Sequence, residues 1–476
     1  MLHIPLLRAG KPYRSLKVEP LTDIRTGEPL GEVSQALPGM IARDLRGAAG
    51  HRRALERLTV AELIDVCHRA AELFTEADLP LGDTVQTPED YLCQLAATAG
   101  MPEVMGRQNM EKIRGVLASI EKVLDGLTRG LDLTVLDGGW GEQGGRRLSY
   151  LRQSDNLGAI LPNNSPGVHN LWLPAIPLKV ALVLKPGSAE PWTPYRIAQA
   201  MIEAGCPAEA FSLYPTDYSG AAEVLLRTGR SMFFGDAATV KSWQGQGKVQ
   251  LHGPGWSKVL FGADAAPAWR EHLDLLVSSV AANGGRSCIN ASGVWTPSCG
   301  REIAEAMAER LGAIEARPLD HPEARLAAFP DPEVAERISQ MIDRELEFPG
   351  AEDLTARYRE GGRVATAGGC TFLLPTVVYC EDPSHPLAAA EFVFPFVTVV
   401  ETAPGEMLER IGPTLIGSVI SGDERFLAEA LASRSIDRLN LGPIPTCRIA
   451  WDQPHEGNLF DHLYQQRAFQ TLRLAS

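Results

Sequence analysis

Hydrophobic and polar residues follow two different periods along this chain, and each period predicts one kind of element. A helical period runs through 59–77, 88–97 and 102–127, after a first stretch to about residue 49 that reads as extended and loop-like. From about residue 155 onward, short apolar runs alternate with helical stretches. That alternation is the βαβ rhythm of parallel sheets with helices on both faces, so we predict an α/β fold.

The alternation falls into two sets, which predict two doubly wound domains. In the first set the strands are 158–161, 180–185, 210–214, 231–234 and 248–251, with helices at 167–178, 194–204, 220–227 and 237–243. In the second set the strands are 258–261, 292–295, 372–380, 397–401 and 415–421.

A glycine-rich stretch, 138–145, lies between two segments that alternate like strands, 131–136 and 147–152. It contains a formal GxGxxG match from Gly139 to Gly144. A dinucleotide-binding loop of that type opens a helix, whereas here a strand follows. We therefore predict a hairpin with a glycine-rich turn.

Composition and charge narrow the class of protein. The 476 residues are enough for two or three domains, and the net charge of −14 argues against a nucleic-acid surface or an anionic membrane as partner. The eight cysteines have no CxxC spacing, which favours a reducing, cytoplasmic location over a disulfide framework or a zinc ribbon. The first seven residues are too short for a signal peptide, and prolines interrupt the longest apolar stretch, 171–184, so no membrane span is expected.

Cys288 carries the strongest chemical signal. It follows the pair Gly284-Gly285, between a helix-like run that ends at Asn283 and a strand-like run that begins at Ala291. Glycines let the backbone approach a ligand closely, and a thiolate on such a turn is a strong nucleophile. The alternative is a buried structural cysteine, which is the commoner fate of an intracellular cysteine.

Six short segments together resemble the aldehyde dehydrogenase superfamily in order and spacing. The family has a Pro-x-Asn-x-Pro turn, a Lys-Pro-Ser-Glu strand end, a Phe-x-Gly-Ser turn, a Glu-Leu-Gly-Gly turn, a Gly-x-x-Cys loop and a Glu-x-Phe-Gly-Pro segment. The matching segments here are 162–166, 185–188, 233–236, 252–255, 285–288 and 391–396. The resemblance covers about 155 to 400, and Thr26-Gly27-Glu28 adds a weaker amino-terminal match.

The resemblance implies a cofactor-binding domain and a catalytic domain in an aldehyde-dehydrogenase-like fold, plus an oligomerisation hairpin. The expected boundaries are 1–129 with 153–253 for the cofactor-binding domain and 254–435 for the catalytic domain. The hairpin and tail are 130–152 and 436–476, and both are expected to take part in oligomerisation. A homodimer or homotetramer is therefore expected.

The resemblance also implies how the catalytic residues work. Cys288 would attack an aldehyde and, after hydride loss to a nicotinamide, hold the acyl group as a thioester. The Asn164 side-chain amide and the Cys288 backbone N–H would stabilise the oxyanion. The alternative for Asn163-Asn164 is a cap on the following helix.

NAD or NADP is the cofactor that the resemblance implies, with Pro162, Lys185, Ser188, Gly235 and Glu391 as binding residues. Lys185 would contact the adenine-ribose hydroxyls or a 2′-phosphate, Gly235 would allow close approach of the pyrophosphate, and Glu391 would hold the nicotinamide ribose. Ser188 stands where the family often has a glutamate that repels a 2′-phosphate, so NADP is admissible beside NAD. Asp236 replaces a family serine and is unfavourable beside phosphates unless it points away or caps the next helix.

His252 is the largest departure from the family pattern. It stands where hydrolytic members have the glutamate that activates water. Members that pass the acyl group to coenzyme A lack that glutamate, and their turn resembles Gly253-Pro254-Gly255 here. The acylating branch, with coenzyme A as co-substrate, is therefore the leading expectation. The alternatives are a hydrolytic enzyme with His252 as base and a family member that has lost catalysis. His455, Glu456 and His462 lack the spacing of an HExxH site, so no metal is expected.

Overall fold

Parallel strands with helices packed between them organise the chain, and the computed structural model of the protein describes residues 2–471. The α-helices are α1 Pro38–Asp44, α2 Ala48–Leu55, α3 Val60–Glu76, α4 Pro88–Ala99, α5 Glu103–Ala118, α6 Ile120–Thr128, α7 Val135–Gly138, α8 Trp192–Glu203, α9 Tyr218–Arg227, α10 Ala237–Lys241, α11 Leu273–Ala281, α12 Gly300–Gly312, α13 Pro332–Leu346, α14 Pro404–Arg410, α15 Glu424–Ala432 and α16 Leu459–Leu463.

The strands range from three to seven residues. They are β1 Leu2–Ile4, β2 Leu6–Arg8, β3 Lys11–Tyr13, β4 Val18–Thr22, β5 Pro29–Ser34, β6 Leu79–Leu81, β7 Thr84–Gln86, β8 Gly141–Gln143, β9 Arg146–Leu148, β10 Tyr150–Arg152, β11 Asn156–Ile160, β12 Ala181–Lys185, β13 Phe211–Leu213, β14 Arg230–Phe234, β15 Val249–His252, β16 Ser257–Phe261, β17 Ala291–Thr296, β18 Ala351–Asp353, β19 Val364–Ala367, β20 Cys370–Leu373, β21 Thr376–Cys380, β22 Phe396–Glu401, β23 Thr414–Ile420, β24 Ile436–Leu441 and β25 Tyr464–Gln466.

The first large sheet has seven strands in the order β15-β14-β11-β12-β13-β2-β3. The five strands from β15 to β13 run parallel, and β2 and β3 close one edge antiparallel. Every residue of β11 is buried, as expected for a strand with helices on both faces.

The second large sheet also has seven strands, in the order β18-β21-β22-β17-β16-β23-β24. Only β18, at one edge, runs antiparallel to its neighbour. All seven residues of β23 are buried. The two sheets confirm the prediction of an α/β fold with two doubly wound halves.

The sheets place the candidate residues near one another. Pro162, Lys185 and Gly235 follow or close strands β11, β12 and β14, so they lie at the carboxyl edge of the first sheet. His252 closes β15, and residues 253–256 then lead directly into β16 of the second sheet. Brief connections at such an edge are the usual location of ligand sites in α/β folds.

The glycine-rich hairpin is confirmed, but it is shorter than predicted. Strands β8 and β9 pair around Gly144 and Gly145, whose φ angles of +57° and +74° suit a tight hairpin turn. The predicted strand at 131–136 is wrong, because the Asp132 carboxylate accepts hydrogen bonds from the Thr134 backbone and hydroxyl and α7 follows at once.

Other element boundaries also differ from the prediction. The first 49 residues contain five strands and α1 rather than loop, because strands of three to six residues are too short to show a clear period. The predicted helix 102–127 breaks at Ser119 into α5 and α6. Residues 166–175 form two 3-10 segments rather than one helix, since Pro166 and Pro174 interrupt it, and Pro375 separates β20 from β21.

The carboxyl-terminal segment returns to the body of the same chain. Strand β25 pairs antiparallel with β10, with Leu151 opposite Gln465. Assembly through this hairpin and tail stays a prediction, and the end of the predicted tail, 472–476, lies outside the described residues. No helix within residues 2–471 has both the length and the apolar content needed to cross a bilayer.

Candidate active site

The loop that carries Cys288 is built on left-handed backbone. Asn283, Gly284 and Gly285 have φ angles of +52°, +63° and +69°. A side chain at Gly285 would meet the backbone of Phe394 and Pro395 at 2.4 Å. Glycine is therefore required there both for its conformation and for the close approach of the neighbouring segment.

Arg286 fixes the same loop to two other segments of the chain. Its guanidinium is buried and donates hydrogen bonds to the carbonyl oxygen of Ala99, at 2.7 Å, and to that of Ala328. Burial lowers the pKa of Arg286 to about 10. The Asn290 side chain accepts from the Ser287 N–H at 2.9 Å and completes a rigid support for the nucleophile.

Cys288 keeps some contact with solvent but is densely surrounded. Burial raises the pKa of its thiol well above 9, and the Glu456 and Glu391 carboxylates raise it further, while the Lys112 ammonium opposes them. The resting residue is therefore a thiol that must lose a proton before it can attack. Its carbonyl oxygen accepts from the Ser257 hydroxyl at 2.9 Å, which fixes the loop against β16.

Asn164 reaches the nucleophile loop directly. Its Nδ2 donates to the Arg286 carbonyl oxygen at 2.8 Å, and its buried Oδ1 has no hydrogen-bond partner within the described residues. The capping alternative does not describe it, because the Ser165 hydroxyl caps the following segment by accepting from Gly167 N–H at 3.2 Å. An amide nitrogen has two hydrogens, so one remains for an oxyanion.

A small amide network ties the loop to its surroundings. Asn283 Nδ2 donates to the hydroxyls of Ser165, at 3.0 Å, and Ser287, at 3.1 Å. Asn109, from α5, donates to Asn283 Oδ1 at 2.7 Å. Neither asparagine was singled out from the sequence, because they join elements that lie far apart in the chain.

His252 lies at the end of β15 and is almost fully buried, with 2% of its side chain exposed. Its ring stacks on Phe234 at 4.4 Å between centroids and 11° between planes. The Oε2 atom of Glu456 lies 2.7 Å from Nδ1, but off the direction in which a ring N–H points, so neither ring nitrogen has a hydrogen-bond partner within residues 2–471. The sequence drew attention to Glu456 only as a member of a group that lacks the spacing of an HExxH metal site.

A cavity of about 60 Å³ opens beside Glu456, which is room for a few waters or a small organic molecule. Its walls are mostly apolar and include Leu171, Pro174, Ile449 and Trp451. Ile449 and Cys288 both pack against the buried cluster of Ile289, Leu415 and Ile416. Glu456, which lines the cavity, also acts on the Cys288 thiol through its charge, so the cavity lies near the nucleophile although Cys288 is not part of its wall. Most of the lining was missed at the sequence level.

Lys112 is a further charged group that the sequence did not reveal. It lies on α5, and burial lowers the pKa of its ammonium, whose charge acts on both Cys447 and Cys288. A cation at this place favours the thiolate form of the nucleophile.

The carboxyl edge of the first sheet brings together Pro162, Lys185 and Ser188. A side chain on Gly187 would meet the Pro162 carbonyl oxygen at 2.6 Å, so the two turns touch. Burial lowers the pKa of Lys185, and its ammonium has no ion-pair partner in the described part of the chain. Ser188 is exposed, with its hydroxyl 3.5 Å from Asn163 Nδ2. An ammonium without a counter-ion beside close-packed glycine backbone fits a dinucleotide.

Gly235 and Asp236 follow β14 at the same edge. The Gly235 N–H donates to the His252 carbonyl oxygen at 3.1 Å, and a side chain on Gly235 would meet the Phe233 ring at 2.9 Å. Asp236 caps α10 by accepting from Thr239 N–H at 2.7 Å, and its hydrogen bonds with Thr239 lower its pKa. This is the capping arrangement that keeps the carboxylate directed into the helix.

Glu391 lies against the connection between the sheets. Its carboxylate accepts hydrogen bonds from the backbone N–H groups of Gly255, at 2.9 Å, and Trp256, which has a φ of +43°. Burial raises the pKa of Glu391 to about 7. Its predicted role in holding a nicotinamide ribose stays a prediction, and in this conformation the carboxylate is occupied by the turn.

Comparison with known proteins now decides the family. The model of the aldehyde dehydrogenase family matches residues 141–410, more than half of the 476 residues. The chain belongs to the aldehyde dehydrogenase family. The family resemblance inferred from the six segments is therefore confirmed.

Relatives within the aldehyde dehydrogenase family agree with this assignment. An aminoacetaldehyde dehydrogenase of Pseudomonas aeruginosa is 30% identical over 263 residues, or 51% of this chain and 49% of that protein, so the match spans about half the length of the relative. The structure of indole-3-acetaldehyde dehydrogenase with NAD⁺ is 18% identical, with a TM-score of 0.78 over 98% of this chain and 96% of that one. An NAD-dependent aldehyde dehydrogenase from Sinorhizobium meliloti is 20% identical, with a TM-score of 0.78 over 100% and 96%.

At these identities the structural likeness establishes the aldehyde dehydrogenase fold. None of these three relatives is named for coenzyme A, so the acylating branch is not confirmed. Within residues 2–471, no group of three or more His, Cys, Asp or Glu side chains is arranged to hold a metal ion.

Proposed function

We propose that the protein oxidises an aldehyde with NAD or NADP through a thioester on Cys288, and that water discharges the thioester as a free acid. The observation that carries this proposal is the buried His252 ring, whose two nitrogens have no hydrogen-bond partner in the described residues, beside a carboxylate whose charge reaches Cys288. Unsatisfied buried polar atoms are rare and tend to mark functional positions.

The residues divide the reaction between them. Cys288 gives its proton to water, which carries it to solvent. The thiolate then attacks the aldehyde carbon, so that a C–S bond forms, the carbonyl π bond opens and an oxyanion results. The second N–H of Asn164 and the Cys288 backbone N–H are the donors for that oxyanion. Bound NAD or NADP supplies the acceptor for the hydride. Lys185, on the edge of the first sheet, would hold the adenosine half of the dinucleotide.

Water then attacks the thioester carbon while His252 takes one of its protons. The C–S bond breaks, the electron pair returns to the Cys288 sulfur, and the acid leaves the cavity. An imidazole serves well as a base near neutral pH. Hydrolysis therefore needs no carboxylate at residue 252 itself.

A second candidate is transfer of the acyl group to coenzyme A. Residue 252 carries no carboxylate, and the Gly253-Pro254-Gly255 turn matches that branch. A thiol acceptor needs less activation than water does. The relatives reported above are not named for coenzyme A, and His252 is a competent base, so water is the acceptor that we favour.

Product analysis tests the choice. Purified protein is incubated with a panel of small aldehydes and NAD or NADP, with and without coenzyme A, and NAD(P)H, free acid and acyl-CoA are quantified. We expect one free acid per NAD(P)H without coenzyme A. Strict dependence on coenzyme A with acyl-CoA as product would support the second candidate, and no NAD(P)H with any aldehyde would refute both.

Two further expectations accompany the proposal. Relaxed use of NAD and NADP rests on the exposed Ser188. A homodimer or homotetramer rests on the β8–β9 hairpin, because a two-stranded ribbon gains stability by adding to another sheet. Light scattering at micromolar concentration measures the assembly directly.

A further inference from the structure

The carboxyl-terminal segment supplies a carboxylate to the position where His252 has replaced one. Glu456 lies 204 residues further along the chain than His252, yet its Oε2 is 2.7 Å from His252 Nδ1. Only 15% of the Glu456 side chain is exposed, and it forms part of the wall of the cavity beside the nucleophile.

The backbone around Glu456 is held in place by specific contacts. Gln250, on the strand that ends at His252, donates from Nε2 to the Glu456 carbonyl oxygen at 2.5 Å. A side chain on Gly457, which has a φ of +70°, would meet Gln250 Nε2 at 2.1 Å. Asn458 then caps α16 and donates to the Leu127 carbonyl oxygen at 2.8 Å. The strand and the tail are therefore locked to each other beside the histidine.

We propose that Glu456 is a positioning residue: it orients the His252 ring and stabilises the positive charge that forms when this ring takes a proton from water. The two residues together then replace the single glutamate that activates water in hydrolytic relatives. This inference rests on the proposed function. It assigns to the tail a part in catalysis that no motif indicates, and it explains how hydrolysis proceeds with a histidine at residue 252.

The division of labour follows from the two ring nitrogens. Although Glu456 Oε2 lies off the direction of a ring N–H in this conformation, its negative charge 2.7 Å from Nδ1 favours the tautomer with the proton on Nδ1, which leaves the lone pair of Nε2 free for a water proton. When Nε2 takes that proton, the ring becomes an imidazolium, and Glu456 stabilises the new charge. The proton passes to solvent after the acid leaves, which restores the neutral ring. No oxidant or further reactant is needed for this step.

Other charged groups surround the pair. His455 precedes Glu456, and burial lowers the pKa of His455 to about 4, so it stays neutral. Burial likewise lowers the pKa of His462 to about 4. Lys112 and Glu391, from α5 and the turn before β22, act on Cys288 with opposite signs. A neutral His455 leaves the Glu456 charge available to His252.

An ester substrate tests the pair without the hydride step. p-Nitrophenyl acetate acylates Cys288 in a burst of nitrophenolate, and the slower steady rate reports hydrolysis of the thioester. In Glu456→Gln we expect an unchanged burst, a steady rate lower by roughly 100-fold, and an acetyl adduct on Cys288 in the intact-protein mass spectrum. Asp452→Asn, the same charge change four residues away on an exposed side chain, is the matched control and should behave as wild type.

Two rescues separate positioning from simple damage. Hydroxylamine attacks thioesters without a protein base, so it should restore turnover of Glu456→Gln. The double variant His252→Glu with Glu456→Gln should also regain hydrolysis, because it carries the carboxylate of the hydrolytic relatives. Glu456→Asp, which keeps the charge but shortens the reach, serves if the Gln variant folds poorly, and it should lose hydrolysis with its burst intact.

Different results would contradict the role of Glu456 and the proposed oxidation of aldehydes. An unchanged steady rate in Glu456→Gln and Glu456→Asp, or equal losses of burst and steady rate, overturns the role of Glu456. A wild-type protein that hydrolyses the ester but oxidises no aldehyde refutes the proposed function and leaves the pair standing.

Discussion

Two buried histidine–glutamate pairs lie in this molecule, and they differ in whether their polar atoms are satisfied. In the first, His169 Nε2 is 3.0 Å from Glu190 Oε2, and His169 Nδ1 accepts from Trp172 Nε1 at 3.2 Å. The other Glu190 oxygen accepts from the Thr193 N–H at 2.9 Å and from its hydroxyl. This closed pair joins two elements of the core.

The second pair, His252 and Glu456, uses the same residue types, but the ring nitrogens of its histidine accept and donate no hydrogen bond within the described residues. We call it the open pair. Each ring nitrogen of His252 lacks a hydrogen bond in the described residues, although the ring is as deeply buried as that of His169. Burial without satisfaction costs free energy, so a fold retains it mainly where the atoms have another task. The comparison teaches that hydrogen-bond partners, rather than residue type or depth, distinguish the structural histidine of the first pair from the histidine that we propose as a base in the second.

Removing the nucleophile beside the open pair should have the largest effect. Cys288→Ala should abolish aldehyde oxidation, because no thioester forms, while NAD(P) binding measured by fluorescence titration stays near wild type. Cys299→Ala is the control and should remain active, since Cys299 lies at the start of α12, on the far side of strand β17 in the chain, and packs against a different apolar cluster from Cys288. If Cys288→Ala oxidised aldehydes at a rate comparable to wild type, Cys288 would not be the nucleophile, and the open pair would have no thioester to act on.

Replacing Asn164, whose amide oxygen has no hydrogen-bond partner within the described residues, should have the second largest effect on activity. Asn164→Ala removes an oxyanion donor, which costs about 2.7–4 kcal/mol of barrier, or roughly a hundred- to thousandfold in kcat. Steady-state kinetics and a thermal melt would be measured together. A lower melting temperature with normal kcat would mean that the bond from Asn164 to the Arg286 carbonyl serves structure alone.

Mutation of the closed pair, His169 and Glu190, should lower the free energy of unfolding rather than the catalytic rate. His169→Ala leaves Glu190 buried without its partner, and breaking such a pair costs about 3–5 kcal/mol of unfolding free energy. His252→Ala should cost far less, because no hydrogen bond to its ring is lost. Urea unfolding of both variants measures the difference, and equal losses would show that the two pairs are structurally equivalent.

Glu391 gives a smaller, pH-dependent test of a third buried carboxylate. Its pKa is raised from 4.5 to about 7 in the fold, so the folded state keeps its proton longer than the unfolded state. The contribution of Glu391 to stability is therefore best below pH 4.5 and falls as pH rises to about 7. Lys258, whose pKa burial lowers from 10.5 to about 8, changes the pH dependence of stability only above this window.

Thermal melts of wild type and Glu391→Gln between pH 4.5 and 7.5 isolate this contribution. We expect the stability of wild type relative to the Gln variant to decline across that window. A constant difference would indicate that the carboxylate is already ionised throughout, as it would be if its hydrogen bonds to Gly255 and Trp256 outweighed burial.

Cofactor preference should show the smallest effect. Ser188→Glu places a carboxylate at the exposed end of the Lys185 turn, where it would repel a 2′-phosphate, so kcat/KM should shift toward NAD. Asn163→Ala removes a neutral side chain whose Oδ1 accepts from the Ala189 N–H at 2.9 Å, and it should leave the ratio of kcat/KM for NAD and NADP unchanged. No shift in Ser188→Glu would mean that the adenosine ribose lies elsewhere.

The sequence predicted the parts of the fold and site that are local. Cys288 and Asn164 lie on short turns between periodic elements, and Lys185 closes strand β12, so the alternation of strands and helices determined where all three residues fall. Contacts between distant segments were missed for a physical reason. Asn109, Lys112 and Glu456 look like ordinary polar residues until α5 and the tail pack against the nucleophile loop.

Prolines and short strands account for most errors in the elements. The segment after Asn164 has the apolar content of a helix, but Pro166 and Pro174 hold it in 3-10 turns. Strand β2 has only three residues, so its pairing of Leu7 with Leu213 depends on the sheet rather than on its own pattern. Tertiary pairing decides such elements, and no local period reports it.

The bond between Gln250 and the tail has a consequence for how the protein is made. Synthesis proceeds from the amino terminus, and the second sheet needs β23 and β24 beyond β16, so the half that carries Cys288 is complete only once residue 441 has been made. The tail with Glu456 follows directly and is the last part to dock on β15. With the proposed role of Glu456, a chain whose tail has not docked would form the thioester but discharge it slowly.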